Sequence, residues 1–224
     1  MTEDQTAPRV ISLRAGHRRG RQSILLDDGR SFVYSDEACL SAGVRVGAVA
    51  DEAYLQQLDI AEQRTSAHES AIRLLSYRAR SEREVRSRLA QRGIGADIIA
   101  EELQRLRAAG LLDDEAFAKM WVQERVQLAP RGERLLRNEL RAKGISADSI
   151  DVATGDVDDH ATALSLARTR ARKLSSASYD EFRRKVGGLL RRKGFDYVVT
   201  SSVLREVWAE SGGESAGTGQ DAAE

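Results

Sequence analysis

The sequence predicts a mainly α fold: tandem three-helix repeats, three units in an elongated arc, with a small N-terminal β-hairpin and helix module. Three observations predict it. The chain of 224 residues has only two prolines and 5% aromatics, and its abundant Ala, Leu, Arg and Glu lose little entropy in a helix. A helix-ending pattern recurs three times at one period. A short stretch near the N-terminus is instead rich in β-prone residues flanked by turn signals.

The repeat is the sharpest of these. Leu89 to Ile94 ends in Arg92-Gly93-Ile94, Leu140 to Ile145 in Lys143-Gly144-Ile145, and Leu190 to Phe195 in Lys193-Gly194-Phe195. The glycines are 51 and then 50 residues apart, and Val85, Leu136 and Val186 each stand four before the leucine. A cation in the last turn, a glycine in the left-handed conformation and a hydrophobe after it form a helix C-cap. Three copies at one period indicate a structural repeat. The helix before each cap opens at Ser81-Glu82-Arg83-Glu84 and Ser178-Tyr179-Asp180-Glu181, both spaced as capping boxes, and after Pro130 in the middle unit. Ile99, Leu103 and Leu106 in the first unit, and Val199, Val203 and Val207 in the last, give the third helix a buried stripe. First helices are expected at Ala71 to Arg78, Glu115 to Val126 and Ala161 to Arg172.

Upstream, Val10 to Arg14, Gln22 to Leu26 and Arg30 to Tyr34 read as strands, the last two joined by the hairpin turn Asp27-Asp28-Gly29. So small a sheet must pack on helices, expected at Asp36 to Ala42 and Asp51 to Thr65. The resulting division is a disordered N-terminus (1–8), the hairpin module (9–66), repeats at 67–111, 112–157 and 158–210, and a disordered tail (211–224).

Composition narrows function. Apolar residues at 41% are enough for a core. No uncharged apolar run is long enough to cross a membrane, and the polar start of the chain is no signal peptide, so a cytoplasmic location is expected. One cysteine, Cys39, forbids an internal disulfide and a cysteine-rich zinc site, and it reads as a small buried hydrophobe. His17, His68 and His160 lack the spacing that puts two imidazoles on one helix face. There is no phosphate-cradling GxxxxGK[ST] loop, and Gly16-His17-Arg18-Arg19-Gly20 is a basic loop. The pairs Asp27-Asp28 and Asp113-Asp114 read as a hairpin turn and a helix N-cap. No catalytic, cofactor or metal residues are assigned.

Charge is the remaining signal. The 35 basic and 35 acidic residues cancel, but they are segregated. From Arg168 to Lys193 ten bases face only Asp180 and Glu181, a net of +8, whereas Asp148 to Asp159 holds five aspartates and no base. A second basic run spans Arg78 to Arg92. Arg184 and Arg191 share an outer helix face with Gly187 and Gly188 between them, which reads as a bare patch open to a phosphate or an acidic surface. Such clustering makes a directional field suited to a polyanion. Tyr77 and Trp121 are assigned to the core, so base stacking takes second place, and no helix has the residues for reading base edges.

Several segments together resemble the RecX family, regulators of the bacterial RecA recombinase. They are Tyr77 with Ser81 to Val85, Leu89 and Arg92-Gly93, then Leu106 and Gly110-Leu111-Leu112-Asp113-Asp114-Glu115-Ala116-Phe117-Ala118. Arg125, Glu139-Leu140, Lys143-Gly144-Ile145, Leu190, Lys193-Gly194-Phe195 and Tyr197 continue the match over roughly residues 68 to 208. Two positions depart from the family pattern: Ala129-Pro130-Arg131-Gly132 stands in place of a Lys-Gly-Pro order, and Thr200 in place of an apolar residue. The resemblance implies a non-enzymatic regulator that binds in the groove of RecA filaments on DNA, suppresses their ATP hydrolysis and strand exchange, and so modulates recombination, DNA repair and the SOS response. Its partners would be the filament and DNA of any sequence, single- or double-stranded. Candidate filament- or DNA-binding residues are Arg80, Arg83, Arg86, Arg125, Arg131, Arg170, Arg172, Arg184, Arg191 and Arg192. A general DNA-binding protein acting without RecA, and a nuclease using the paired aspartates, stay open.

Three caps at one period with no long apolar face left over point to an extended, helical monomer. Small-angle scattering should show an elongated particle and circular dichroism a helical spectrum. A compact sphere would contradict the repeat reading.

Overall fold

The computed structural model describes residues 7–174 and 178–211. The segments expected to be disordered, 1–8 and 211–224, lie almost wholly outside them. Among the described residues are three strands and ten helices, and the chain divides into two compact units, residues 1–112 and 113–224.

The first unit opens with an antiparallel meander of β1 (Val10–Ala15), β2 (Arg21–Leu26) and β3 (Ser31–Ser35). Leu13 pairs with Ile24 across the first ladder, and Ile24 with Phe32 across the second. The Asp27-Asp28-Gly29 turn forms as expected, with Gly29 at φ +86° and the Asp28 carboxylate accepting from Arg30 N at 2.9 Å. Alternation places Ile24 and Leu26 on one face, where they pack with Val10, Tyr34, Ala38, Cys39 and Leu58. Cys39 is buried, as read from the sequence.

The sheet is held by two helices, α1 (Asp36–Ser41) and α2 (Glu52–Tyr77). At 26 residues, α2 is far longer than the two separate helices expected, and the anticipated boundary near residue 66 falls inside it. Nothing in Arg64-Thr65-Ser66-Ala67 breaks a helix, and both halves of α2 have a core to bury. Leu58 joins the sheet core, while Ala67 and Ala71 join that of the first repeat. Glu62, midway along α2, accepts from Ser35 N at 2.7 Å and pairs with Arg21. One carboxylate thus ties β2 and the start of α1 to α2. Burial pushes its pKa up, but the bonds from Ser35 and Arg21 outweigh it and hold the group below its ordinary 4.5.

The first repeat is completed by α3 (Glu82–Ala90) and α4 (Ala96–Ala108), around Val85, Leu89, Ile99, Leu103 and Leu106. Ser81 and Glu84 form the full capping box. In the second unit, α5 (Asp114–Leu128), α6 (Glu133–Ala142) and α7 (Ala147–Thr154) surround Phe117, Val122, Leu136, Leu140 and Ile150. Then α8 (Asp159–Ala171), α9 (Tyr179–Arg192) and α10 (Tyr197–Glu210) surround Ala163, Phe182, Val186, Leu190, Phe195, Val203 and Val207. Asp113 caps α5, and Ser178 caps α9 by accepting from Glu181 N. The expectation at Pro130 is corrected: α6 begins at Glu133 with Gly132 as its N-cap, so Pro130 lies in the connection. Gly132 has no side chain to cap with, and Asp159 of α8 reaches across instead, accepting from Glu133 N at 2.8 Å.

The three glycine caps all form. Gly93, Gly144 and Gly194 have φ of +79°, +83° and +93°. In each, the following hydrophobe sends its N–H back to the leucine carbonyl: Ile94 to Leu89, Ile145 to Leu140 at 3.1 Å, and Phe195 to Leu190 at 3.2 Å. Gly194 has a second task. Gly132 N donates to Lys193 O at 2.8 Å, and a Cβ on Gly132 would lie 2.7 Å from Gly194 backbone atoms. A Cβ on Gly194 would overlap that of Leu135. The second and third repeats therefore meet backbone to backbone.

Two expectations follow for stability. Gly144→Val should cost roughly 1 kcal/mol or more, since a β-branched residue is penalised at positive φ. Gly194→Ala should cost more than Gly93→Ala, where a Cβ meets open space. Denaturant unfolding checks both, and equal midpoints for the two alanine variants would contradict the close approach. The Glu62 contribution, from a carboxyl held below 4.5, should be complete above that pH and fade as pH falls through the lower folded value. Glu62→Gln should flatten that acid arm in thermal melts.

Candidate nucleic-acid interface

The ten candidate arginines fall into different environments, set by what folds against each. Arg80 turns inward, its Nε donating to Leu74 O at 3.0 Å, and burial lowers its pKa from the usual range. Arg86 pairs with Glu82, which also receives Arg107. Arg83, one turn from Arg86, is exposed.

In the second repeat, Arg125 and Arg131 are drawn onto Glu139. Arg125 stacks its guanidinium 4.0 Å from the centre of the Trp121 ring and stands 3.6 Å from Glu139. Arg131 pairs with the same carboxylate, and Trp121 Nε1 donates to it at 3.0 Å. Lys143 lies over Trp121 at 4.1 Å. The structure thus makes Arg125 and Arg131 the fastening between α5 and α6, with Glu139 and, for Arg125, Glu124 set against their charge. Trp121 is half-buried in this stack, whereas Tyr77, expected in the core, is 80% exposed at the end of α2.

The third repeat differs. Arg170 and Arg172 are exposed at the end of α8, but Arg168, at the head of the same run, is bound by Glu210 at 2.9 Å and lies near Glu206. Those acids lie on α10, out of reach of a local charge count. Unanswered bases stand instead on α9, which with α10 encloses a cleft of about 670 Å³. On the α9 wall stand Arg183, Arg184 and Arg191, with Asp180 the one carboxylate in the lining among the described residues; on the α10 wall stand Tyr197, Ser201 and Arg205. Arg192 lies outside, extended along α9 so that its guanidinium is 3.4 Å from where a Gly188 Cβ would be.

Helical spacing accounts for both walls. Arg184 and Arg191 are two turns apart, and Tyr197, Ser201 and Arg205 recur every four residues. Gly187 lies between the walls and is buried: a Cβ there would lie 3.2 Å from Leu204. The glycine pair is therefore no bare patch. Gly187 lets α10 approach α9 closely, which sets the depth of the cleft. Thr200 stands beside it, 5% exposed, and its hydroxyl has no hydrogen-bond partner among the described residues. Tyr179, at the other end, packs edge-on against Trp208 at 5.2 Å. Tyr197 is 77% exposed.

Of the ten candidates the cleft gathers Arg184 and Arg191, and it adds Arg183, Arg205 and Tyr197. The four-residue spacing of Tyr197, Ser201 and Arg205 was the available signal for the last two. Elsewhere, Asp27 accepts from Arg9 N at 2.9 Å, Asp28 binds Arg30, and Asp113 caps α5. His68 bonds the buried Glu102 at 2.9 Å, and His160 lies 3.4 Å from Glu206. Among the described residues there is no group of three His, Cys, Asp or Glu placed to hold a metal ion, and no helix long and apolar enough to cross a membrane.

Comparison with known proteins agrees along both units. Residues 67–106 match the model of the first three-helix domain of RecX, and residues 113–153 that of the second. A regulatory protein RecX of Mycobacterium sp. (strain JLS) is 37% identical over 155 residues, covering 66% of this chain and 83% of that protein. The regulatory protein RecX of Levilactobacillus brevis is 29% identical over 198 residues, covering 87% of this chain and 74% of that one. A crystal structure of a regulatory protein RecX superposes with a TM-score of 0.67 at 25% identity, over 88% of this chain and 98% of that one. The crystal structure of RecX from Lactobacillus salivarius gives 0.60 over 66% of this chain.

Proposed function

Because the chain belongs to the RecX family of regulatory proteins, we propose that it binds the RecA filament on DNA and suppresses its ATP hydrolysis and strand exchange. In that role it modulates homologous recombination, DNA repair and the SOS response in the cytoplasm, as a monomer that performs no chemistry of its own. The observation that carries the reading is the family membership, which spans both compact units. The structure supports it in two ways. Each repeat has its own core, so a tandem array can offer several separate surfaces to a repeating filament. Of the aspartates that a nuclease would need, Asp27 and Asp28 are engaged in a turn and Asp113 in a helix cap.

The exposed arginines of the first and third repeats are the proposed contact surfaces, with Arg125 and Arg131 acting more through the fold than by touching the filament. One observation, the arginine cleft, also favours a second reading, in which the chain binds DNA without RecA.

ATP hydrolysis by RecA on single-stranded DNA, measured with and without the chain, tests the proposal. The wild type should lower the rate. Arg184→Glu with Arg191→Glu should lose that effect without unfolding, since both side chains are exposed, and Arg83→Glu with Arg86→Glu serves as comparison. Unchanged hydrolysis with the wild-type chain would overturn the proposal. DNA cut in the presence of a divalent metal would overturn the non-enzymatic part.

A further inference from the structure

We infer that the α9–α10 cleft seats single-stranded nucleic acid, its phosphodiesters on Arg184, Arg191 and Arg205 and an unstacked base on the Tyr197 ring. The inference builds on the nucleic-acid part of the reading above, and it concerns binding by this chain without RecA.

Three features of one site converge on it. First, the cleft brings arginines from two helices to face a common space, with one carboxylate opposing them. Planar guanidinium forks bind phosphate oxygens in pairs. Second, at about 670 Å³ the space falls within the roughly 300–1,000 Å³ that encloses a ligand-sized group, so it takes a nucleotide or two rather than the side of a duplex. Third, Tyr197 opens α10 at the mouth, 77% exposed. A large aromatic ring left in water beside arginines offers a stacking platform, and only unpaired bases have free faces to put on it.

An acidic protein segment would satisfy the arginines too, but it would leave the ring unused. A duplex would satisfy the arginines along its backbone and hide its base faces. The aromatic ring beside the arginines is what favours the single strand, and it is also what the test isolates.

Fluorescence anisotropy of the full chain alone decides it, with four probes: a labelled oligothymidylate, an abasic strand of the same length, a duplex and a polyglutamate peptide. The wild type should bind the oligothymidylate tightest. Tyr197→Ala should weaken that binding about ten-fold, as expected for loss of one stacked base, and leave the abasic strand unaffected. Tyr197→Phe should restore it. Arg184→Glu with Arg191→Glu should weaken both strands and reduce the salt dependence of binding. Equal affinity of the wild type for thymidylate and abasic strands, or for duplex or polyglutamate, would overturn the inference, as would Tyr197→Ala binding like wild type. Since Tyr197 and both arginines are exposed, loss of fold does not explain a loss of binding, and melting curves verify this. Suppression of RecA with none of these effects would sink this inference and spare the proposed function. Strand binding with no effect on RecA would do the reverse.

Discussion

Each middle helix stops on one constraint, a glycine that turns the chain into the left-handed region so that the next hydrophobe can drop into its own repeat's core. The amide of Ile94, Ile145 or Phe195 closes on the leucine carbonyl five residues back, and the side chain is buried as a consequence. The third helix then leaves at an angle that this turn dictates. Remove the positive φ and the hydrophobe has no route inward, so cap geometry and core packing are one interaction in two guises.

In the third repeat that constraint reaches beyond its own helices. Gly194 is at once the cap of α9 and the place where the backbone of Gly132 approaches. Phe195 is buried just past it, and Tyr197 emerges two residues on, at the first turn of α10. The exposed ring at the mouth of the cleft is therefore positioned by the same turn that seals the core beneath it. Gly187 sets the other dimension, since Leu204 occupies the space its Cβ would take. Two glycines, one for a turn and one for a close approach, determine where four arginines meet.

How much of this was legible in the sequence follows from the range of each interaction. The caps, the Ser81 box, the Asp113 cap and the hairpin turn depend on residues a few positions apart, and they stand where the pattern put them. The continuity of α2 was not legible, because a gap between two amphipathic stretches looks like a boundary until both faces are seen to bury against different cores. At Pro130 the local rule chose the wrong residue, since the partner for the bare start of α6 is Asp159, 26 positions away. The cleft was half legible: Arg184 and Arg191 share a helix face by spacing alone, but Arg205 and Tyr197 join them only through the α9–α10 packing that Gly187 permits.

The same argument governs charge, and it revises what a charge count along the chain means. Arg168 and Arg184 belong to one basic run, yet Glu210 and Glu206 fold onto the first, while the second lines an open cleft with Arg183, Arg191 and Arg205. Likewise Arg125 and Arg131 converge on Glu139, whose carboxylate also holds Trp121. A salt bridge is a short-range device, and a basic run creates an outward field only where tertiary neighbours leave it unanswered. Repeats with similar helices can thus diverge in role through the placement of a few acids. Glu139 converts the arginines of the second repeat into fasteners. On the α9–α10 face, with Asp180 the only acid in the lining among the described residues, the arginines of the third remain available to a phosphate.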